Sequence, residues 1–560
     1  ALTAVVVAGS VTLTANRHQC DITGRIANFE KAACKIRGDA KPGEFEGLLF
    51  NDSDVYKMME GWAYILGAEK DTAKKDALDK ELDDLIAKVA AAQHPDGYID
   101  TFYTLKVGVE HRHQAEENDH ETYCMGHLIE AGVAHYEATG KKNLLNVATK
   151  AGDYLVGLYQ PDKFTAPSGH EEVELALVKL SRATGDGKYV KLANFIMDQR
   201  GKVHRKLDGT TYGPWGDYAQ DHKPVAEQME ASGHAVRAGY LYSGMADLAR
   251  LGRGEYKPAL DSLWEDIVQR RVFVTGGIGP SGHNEGFTVP YDIPTASAYQ
   301  ETCASIALCL WAHRMFLLEG DAKYMEQFEK TLYNAALAGV SLDGKKFFYV
   351  NPLASKGGHQ RSDWFGCACC PPNVLRFFGS LGDYVYAVKH EGAKDTLYIN
   401  LFMAGKATVK IGGKVVEIEQ QTDYPWTGGV RLVVNNTTGA PLPVALRLPP
   451  GGKYAPGAVP DEHGYTRTVL DPGPSVVVFD LPVAATRVYS DPRVKASLGR
   501  AAIMRGPLVY AAESVDNDGK ITNVVLPPSA VITETKGPDG VPVLTAEGFR
   551  LSGGDDGGLY

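Results

Sequence analysis

Two short stretches carry side chains able to hold a metal and to act as nucleophiles. One is Glu301-Thr302-Cys303, and the other is Cys367-Ala368-Cys369-Cys370-Pro371-Pro372-Asn373. Thiolates together with a carboxylate make the tetrahedral sets that zinc takes. Glu301, Cys303, Cys369 and Cys370 supply four such ligands and leave Cys367 over. Two residues apart on a helix is a rotation of about 200°, so Glu301 and Cys303 can face one ion only where the chain is not helical. Pro294 and the small residues after it allow such an irregular lead-in. Pro371 and Pro372 restrict the backbone of the second loop. The competing reading is a set of buried, inert thiols, since free Cys is among the most buried residue types. That reading suits Cys20, Cys34, Cys124 and Cys309 better than a Gly-bounded, Pro-terminated loop.

Other chemistry-bearing residues stand elsewhere. His120, Cys124 and His127 in HETYCMGH recur at i, i+4 and i+7, one face of a helix, and form an alternative ligand set. The segment GGIGPSGHNEGFTVPYD is rich in Gly but lacks the Lys and Ser/Thr of a phosphate-binding loop. It reads as a site loop presenting Glu285, with His283 nearby; a solvated surface loop is the alternative. His170, His234 and the Tyr218, Gln220, His222 group lie beside apolar helical stretches. At corresponding helix starts they would line one mouth.

The elements that must position these residues are helical from about residue 50 to 390. NDSDVYKMMEGWAYIL, HLIEAGVAHYEAT, VELALVKLSRAT and CASIALCLWAHRMFLLEG repeat apolar residues at helical spacing. A weak repeat links them: a helix ends in Gly, a short polar loop follows, and a new helix opens, as at Gly140, Gly185 and Gly320. Short links make antiparallel pairs, and about twelve helices in pairs predict a closed α/α toroid with a concave open end. An open solenoid is the alternative. Near residue 395 the texture changes to alternating Val, Ile and Leu between Gly and Pro turns, that of a β-sandwich. The expected organisation is multidomain α + β: strands over 1–25 joining a sandwich, a helical barrel over 26–390, a β-sandwich over 391–490, and a further β-rich domain or sheet completion over 491–560.

The chain has 560 residues, with 58 basic against 69 acidic side chains and no basic cluster. Nucleic acid and anionic membranes are therefore not expected partners. Eight cysteines in this length do not make a disulfide scaffold. The start lacks the basic region of a signal peptide, although a removed signal would leave the same beginning.

The motifs NDSDVYK, AAQHPDGY, HETYCMGHLIEA, HEEVELALVKL, YAQDHKPVAEQ, GHAVRA, GGIG, ETCAS and CCPPN, in that order, resemble those of glycoside hydrolase family 127, the β-L-arabinofuranosidases, and the related family 146. The match runs over roughly residues 45 to 380. The resemblance implies an (α/α)6 barrel followed by β-sandwich domains. It implies a bacterial retaining exo-glycosidase with zinc on Glu301, Cys303, Cys369 and Cys370, nucleophile Cys369, and acid/base Glu285, sixteen residues before Glu301. It also implies sugar contacts from His120, His170, His234 and Tyr349. The substrate would be a terminal β-L-arabinofuranosyl residue of an oligosaccharide or glycoprotein glycan. Two alternatives stand: the same mechanism on another rare sugar, and a non-catalytic carbohydrate-binding protein with structural zinc. A homodimer is kept open as the assembly, and the compartment stays open between periplasmic or secreted and cytoplasmic.

Overall fold

The alternation of apolar helices and short polar links folds into a ring. A computed structural model describes residues 11–551 apart from positions 393, 450, 455–458, 518, 520, 522 and 538. The principal helices are α1 (Leu13–Ile22), α2 (Arg25–Arg37), α3 (Asp52–Ala68), α4 (Thr72–Ala91), α5 (Glu121–Thr139), α6 (Asn143–Leu158), α7 (Val173–Thr184), α8 (Lys188–Met197), α9 (Ala235–Arg250), α10 (Lys257–Arg270), α11 (Thr302–Glu319), α12 (Ala322–Thr331) and α13 (Cys370–Gly379). Helices α3, α5, α7, α9, α11 and α13 each pack on the next, and α13 returns to α3 to close the circle. Helices α4, α6, α8, α10 and α12 each lie against the inner helix before them, while α1 and α2 flank α3 at the seam. This is an (α/α)6 barrel, and the open solenoid is excluded.

Burial explains the two rings. Inner helices touch neighbours on every side; in α11 the residues from Thr302 to Cys309 are all buried. Outer helices carry one apolar stripe, as α6 does with Leu144, Leu145, Ala148, Ala151 and Leu155. The turns between partners are reversed by left-handed C-caps: Gly140 and Gly185 both have φ 74, a conformation costly to any residue with a Cβ. Because each inner helix is followed by an antiparallel outer one, all six inner N-termini gather at one mouth.

The second unit begins at Tyr386. Strands β1 (Tyr386–Glu391), β2 (Lys394–Ile399), β6 (Leu442–Arg447) and β8 (Tyr465–Leu470) make a sheet of order β8-β6-β2-β1. Strands β3 (Gly405–Ile411), β4 (Lys414–Thr422), β5 (Gly429–Asn436), β7 (Lys453–Tyr454) and β9 (Gly473–Asp480) make a second, of order β3-β4-β5-β9-β7. Strand β4 joins the two sheets: the Gln420 amide donates to the Tyr386 hydroxyl at 2.9 Å. Strands β10 (Ala485–Val488), β11 (Ala502–Arg505) and β12 (Leu508–Tyr510) form a small third sheet.

Three expected boundaries shift. Residues 1–10 of the expected opening strands lie outside the described residues, and from Leu13 the chain is helical, not extended. Leu13, Asn16 and Cys20 are buried at i, i+3 and i+7, a helical face that packs on α3 and overrides the local Val/Thr texture. The first strand of the second unit opens at Tyr386, ahead of the expected boundary at 391, because its pairing with β2 already begins at Tyr386, opposite Ile399. The division expected at 490 is crossed by the β10–β11 pair, Ala485 to Arg505 and Val488 to Ala502.

Candidate active site

Four site residues are the N-caps of inner helices: His120 before α5, His234 before α9, Glu301 before α11 and Cys369 before α13. The positive ends of the helix dipoles therefore meet around acidic groups, a favourable placement. Glu301 is extended (φ −56, ψ 138), and the helix begins only at Thr302. This is the non-helical step that lets Glu301 and Cys303 face one point. Pro371 and Pro372 occupy the first turn of α13, where the missing N–H costs nothing.

Glu301, Cys303, Cys369 and Cys370 converge, their ligand atoms all within 4.8 Å of one another. Cys369 Sγ lies 3.2 Å from Glu301 Oε1, and the Cys303 and Cys370 sulfurs are 3.4 Å apart. Glu301 Oε2 is buried with no hydrogen-bond partner. Such a buried acceptor asks for a cation, and three thiols with one carboxylate form a donor set for a soft divalent ion. Without one the four groups resist joint ionisation. Burial raises Glu301 well above the carboxylate range, and the Cys369 charge adds to it. Burial also raises Cys370, whereas for Cys303 hydrogen bonds to Cys369 and Cys370 outweigh burial and bring the thiol to about 6. Cys303 and Cys370 are buried; Cys369 keeps part of its surface open.

Backbone pairing brings Tyr349 to this cluster. Thr302 N donates to Tyr349 O at 2.9 Å, and Gln300 and Asn351 exchange side-chain hydrogen bonds of 2.8 and 2.9 Å with each other's carbonyls. The Tyr349 hydroxyl then sits 3.2 Å from Cys369 Sγ and 3.8 Å from Cys367 Sγ. Cys367, unassigned from sequence, thus lies beside the cluster and outside the ligand set.

Glu285 faces the same point. Its Oε1 accepts from the Tyr299 hydroxyl at 2.9 Å, and its Oε2 bonds His234 Nε2 at 2.9 Å. His234 Nδ1 accepts from Val236 N, so the proton is on Nε2 and His234 is the donor. That bond, ahead of burial in size, holds Glu285 below its ordinary value. His234, Glu285 and Glu301 offer atoms within 4.8 Å of one another, which makes Glu301 common to both groups. The rings of His120, His170 and His234 follow one another at 5.6 Å steps. Burial, reinforced by the Arg237 charge, lowers His120 to about 3 and His170 well below its usual value, so both are neutral donors and acceptors. His120, Glu285 and Gln300 have φ of 62, 48 and 43. Left-handed backbone in non-Gly residues costs of order 1–3 kcal/mol each and clusters at functional sites.

Glu301, Cys303, Cys369 and Cys370, with Tyr349, Glu285, His234, His170 and His120 linked to them by direct contacts, thus lie together at one mouth of the barrel. The alternative set His120, Cys124, His127 does not converge as a metal-binding group. Cys124 turns to the Phe50 carbonyl and His127 stands 3.1 Å from Glu172, because helical facing alone does not point three side chains at one atom. His283 is exposed. Sequence reasoning missed Tyr299, although it lies two residues before Glu301. It also missed Lys57, the last residue of NDSDVYK, which is fully buried with its ammonium 5.2 Å from the Tyr123 ring centroid. Burial works against the Lys57 charge, but Asp54 and Cys369 hold its pKa above the ordinary lysine value.

Comparison with known proteins identifies the family. Residues 8–383 match the family model of the beta-L-arabinofuranosidase GH127 catalytic domain, residues 396–456 the GH127 middle domain, and residues 485–546 the glycoside hydrolase family 127 C-terminal domain. A non-reducing end beta-L-arabinofuranosidase of Bifidobacterium longum subsp. longum is 37% identical over 89% of this chain and 80% of its own length. The crystal structure of Ara127N, a GH127 beta-L-arabinofuranosidase from Geobacillus stearothermophilus T6, superposes with a TM-score of 0.90 at 37% identity, covering 100% of this chain and 93% of that one. A second GH127 beta-arabinofuranosidase structure has a TM-score of 0.85 at 38% identity, covering 98% and 91%.

Proposed function

The chain belongs to glycoside hydrolase family 127, and on that premise we propose that it releases terminal β-L-arabinofuranosyl residues from oligosaccharides or glycoprotein glycans by a retaining displacement at Cys369. The observation that carries the choice of nucleophile is accessibility: of the three thiols in the candidate ligand set Cys369 alone keeps part of its surface exposed, while Cys303 and Cys370 are buried and the part-exposed Cys367 lies outside the set.

Zinc is the proposed ion on Glu301, Cys303, Cys369 and Cys370; when bound it keeps its thiols ionised near neutral pH. The chain's own groups do the rest. Cys369 Sγ attacks the anomeric carbon, with the Tyr349 hydroxyl 3.2 Å away to orient the sulfur. Glu285 stands on the opposite side of the sugar, where its carboxyl gives a proton to the departing oxygen. The same carboxylate then takes a proton from the water that cleaves the sugar–sulfur bond. His120 and His170, each with Nε2 left over after Nδ1 is bonded to a backbone carbonyl, bind sugar hydroxyls as neutral imidazoles, while His234, with both ring nitrogens engaged, acts through Glu285. Because His234 holds Glu285 ionised in the free site, the resting carboxylate is set for the second step, and the first requires its protonated form.

Intact-mass spectrometry during turnover of an aryl β-L-arabinofuranoside, paired with metal analysis, tests this reading. One zinc per chain and a pentosyl adduct on Cys369 are expected. No zinc, a disulfide among these cysteines, or an adduct on a carboxylate sinks it. Glu301 is the carboxylate to watch, since it lies within 4.8 Å of Glu285 and such pairs also support retention.

A further inference from the structure

Tyr218 is 41% exposed at the mouth that holds the candidate site, although its backbone is locked to it. His234 N donates to Tyr218 O at 3.1 Å. Gln220, at φ 51, sends its amide to the carbonyls of Ser232 at 2.7 Å and His234 at 3.2 Å. Gly233 passes so close that a Cβ there would stand 2.0 Å from the Asp217 carbonyl oxygen, so only Gly permits this approach.

The ring is held as firmly as the backbone. The Arg237 guanidinium lies 4.5 Å from the Tyr218 ring centroid, and the His234 ring meets it edge-on at 5.8 Å. Arg237 is buried, donates to the Gly169 carbonyl, and has no carboxylate within ion-pair reach among the described residues. A desolvated cation in that position interacts strongly with an aromatic face. The Tyr218 hydroxyl takes no hydrogen bond among the described residues. A rigid, part-exposed aromatic ring with a free hydroxyl is a built surface, not a loose loop side chain.

Its position gives it a role. From Cys369 the contacts run to Tyr349, Tyr299, Glu285, His234 and then Tyr218. Tyr218 thus adjoins His234, the residue that grips the candidate proton donor Glu285, and so stands on the proton-donor side of the site. In a retaining displacement the leaving group departs on that side. We propose that Tyr218, braced by Arg237, is the platform for the leaving-group sugar: a second, uncharged sugar ring whose C–H face packs on the exposed aromatic surface. This rests on the glycosidase reading above.

The test compares kcat/KM for a β-L-arabinofuranosyl disaccharide with that for methyl β-L-arabinofuranoside, whose leaving group has no ring. In the wild type the disaccharide is the better substrate. In Tyr218→Ala that preference ratio falls by about tenfold, a 1.4 kcal/mol loss, and in Tyr218→Phe it is largely kept. A ratio unmoved in Tyr218→Ala, whether or not both rates drop, overturns the platform and leaves the activity standing. A wild type that cleaves neither glycoside overturns the activity and the platform with it.

Discussion

His234 donates from Nε2 to Glu285 Oε2 across 2.9 Å, and its other ring nitrogen is occupied by the Val236 amide. One residue therefore caps helix α9 and sets the charge state of the candidate acid/base. This hydrogen bond is the first cause of the lowered Glu285 pKa, and the one from Tyr299 adds to it.

Removing that donor should move the pH profile. In His234→Ala the carboxylate loses its main stabiliser, and the Glu285 pKa rises. The limb of kcat/KM governed by Glu285 in the free enzyme should shift to higher pH. A profile that does not move, or moves to lower pH, contradicts the assignment.

Glu285→Gln leaves the thiol cluster intact and removes only proton transfer, a loss of about 10² to 10⁴. The loss should be smaller for an acidic phenol leaving group, which needs little protonation. Breakdown of the intermediate would still lack its base, so a sugar–Cys369 adduct should accumulate and be seen by intact mass. Normal turnover of a natural glycoside by this variant would remove Glu285 from the mechanism.

Stripping the ion should loosen the barrel as well as abolish activity. The candidate ligand set joins α11 to α13, and Glu301 Oε2 has no protein hydrogen-bond partner to fall back on. Calorimetry after chelation should show the melting point of the helical unit lowered by about 5 °C, a cost of about 4 kcal/mol for a unit of this size, and restored by added zinc. Cys303→Ser should melt low with or without zinc. An unchanged melting point after verified metal loss would rule out a stabilising ion.

Asp52 provides a stability measurement away from the cluster. Burial raises its pKa from 3.8 to about 6, against the pull of hydrogen bonds from the Thr101 hydroxyl and amide. The native state then holds a proton that the unfolded chain releases near 3.8. The associated stability is fully present below pH 3.8 and is lost as pH rises to about 6, a swing of about 3 kcal/mol. Denaturant titrations should show that slope between pH 4 and 6, and Asp52→Asn should flatten it.

Much of the architecture was legible in the chain. Helical periodicity with Gly-ended turns is a local signal, and Gly140 and Gly185 adopt the left-handed caps it implies. The change to two-residue alternation near 395 is equally local. The opening segment was misread because its Val and Thr content favours a strand, whereas the decisive interaction, burial of Leu13 and Cys20 on α3, is tertiary.

The sequence by itself determined which side chains are available for chemistry: ETC and the CACCPPN run hold the candidate ligand set, and the GGIG loop holds Glu285. Residue type and short spacing carry that information because ligation chemistry is a property of side chains. Only the tertiary structure decided which thiol of the candidate ligand set stays part-exposed, that His234 rather than His283 grips Glu285, and that Tyr299 bonds Glu285 while Tyr349 stands beside Cys369. These depend on closing six inner helices into one ring, which brings His120, His234, Glu301 and Cys369 together at their N-termini from 249 positions of chain. No local pattern encodes that closure; it comes from burying every face of the inner helices at once.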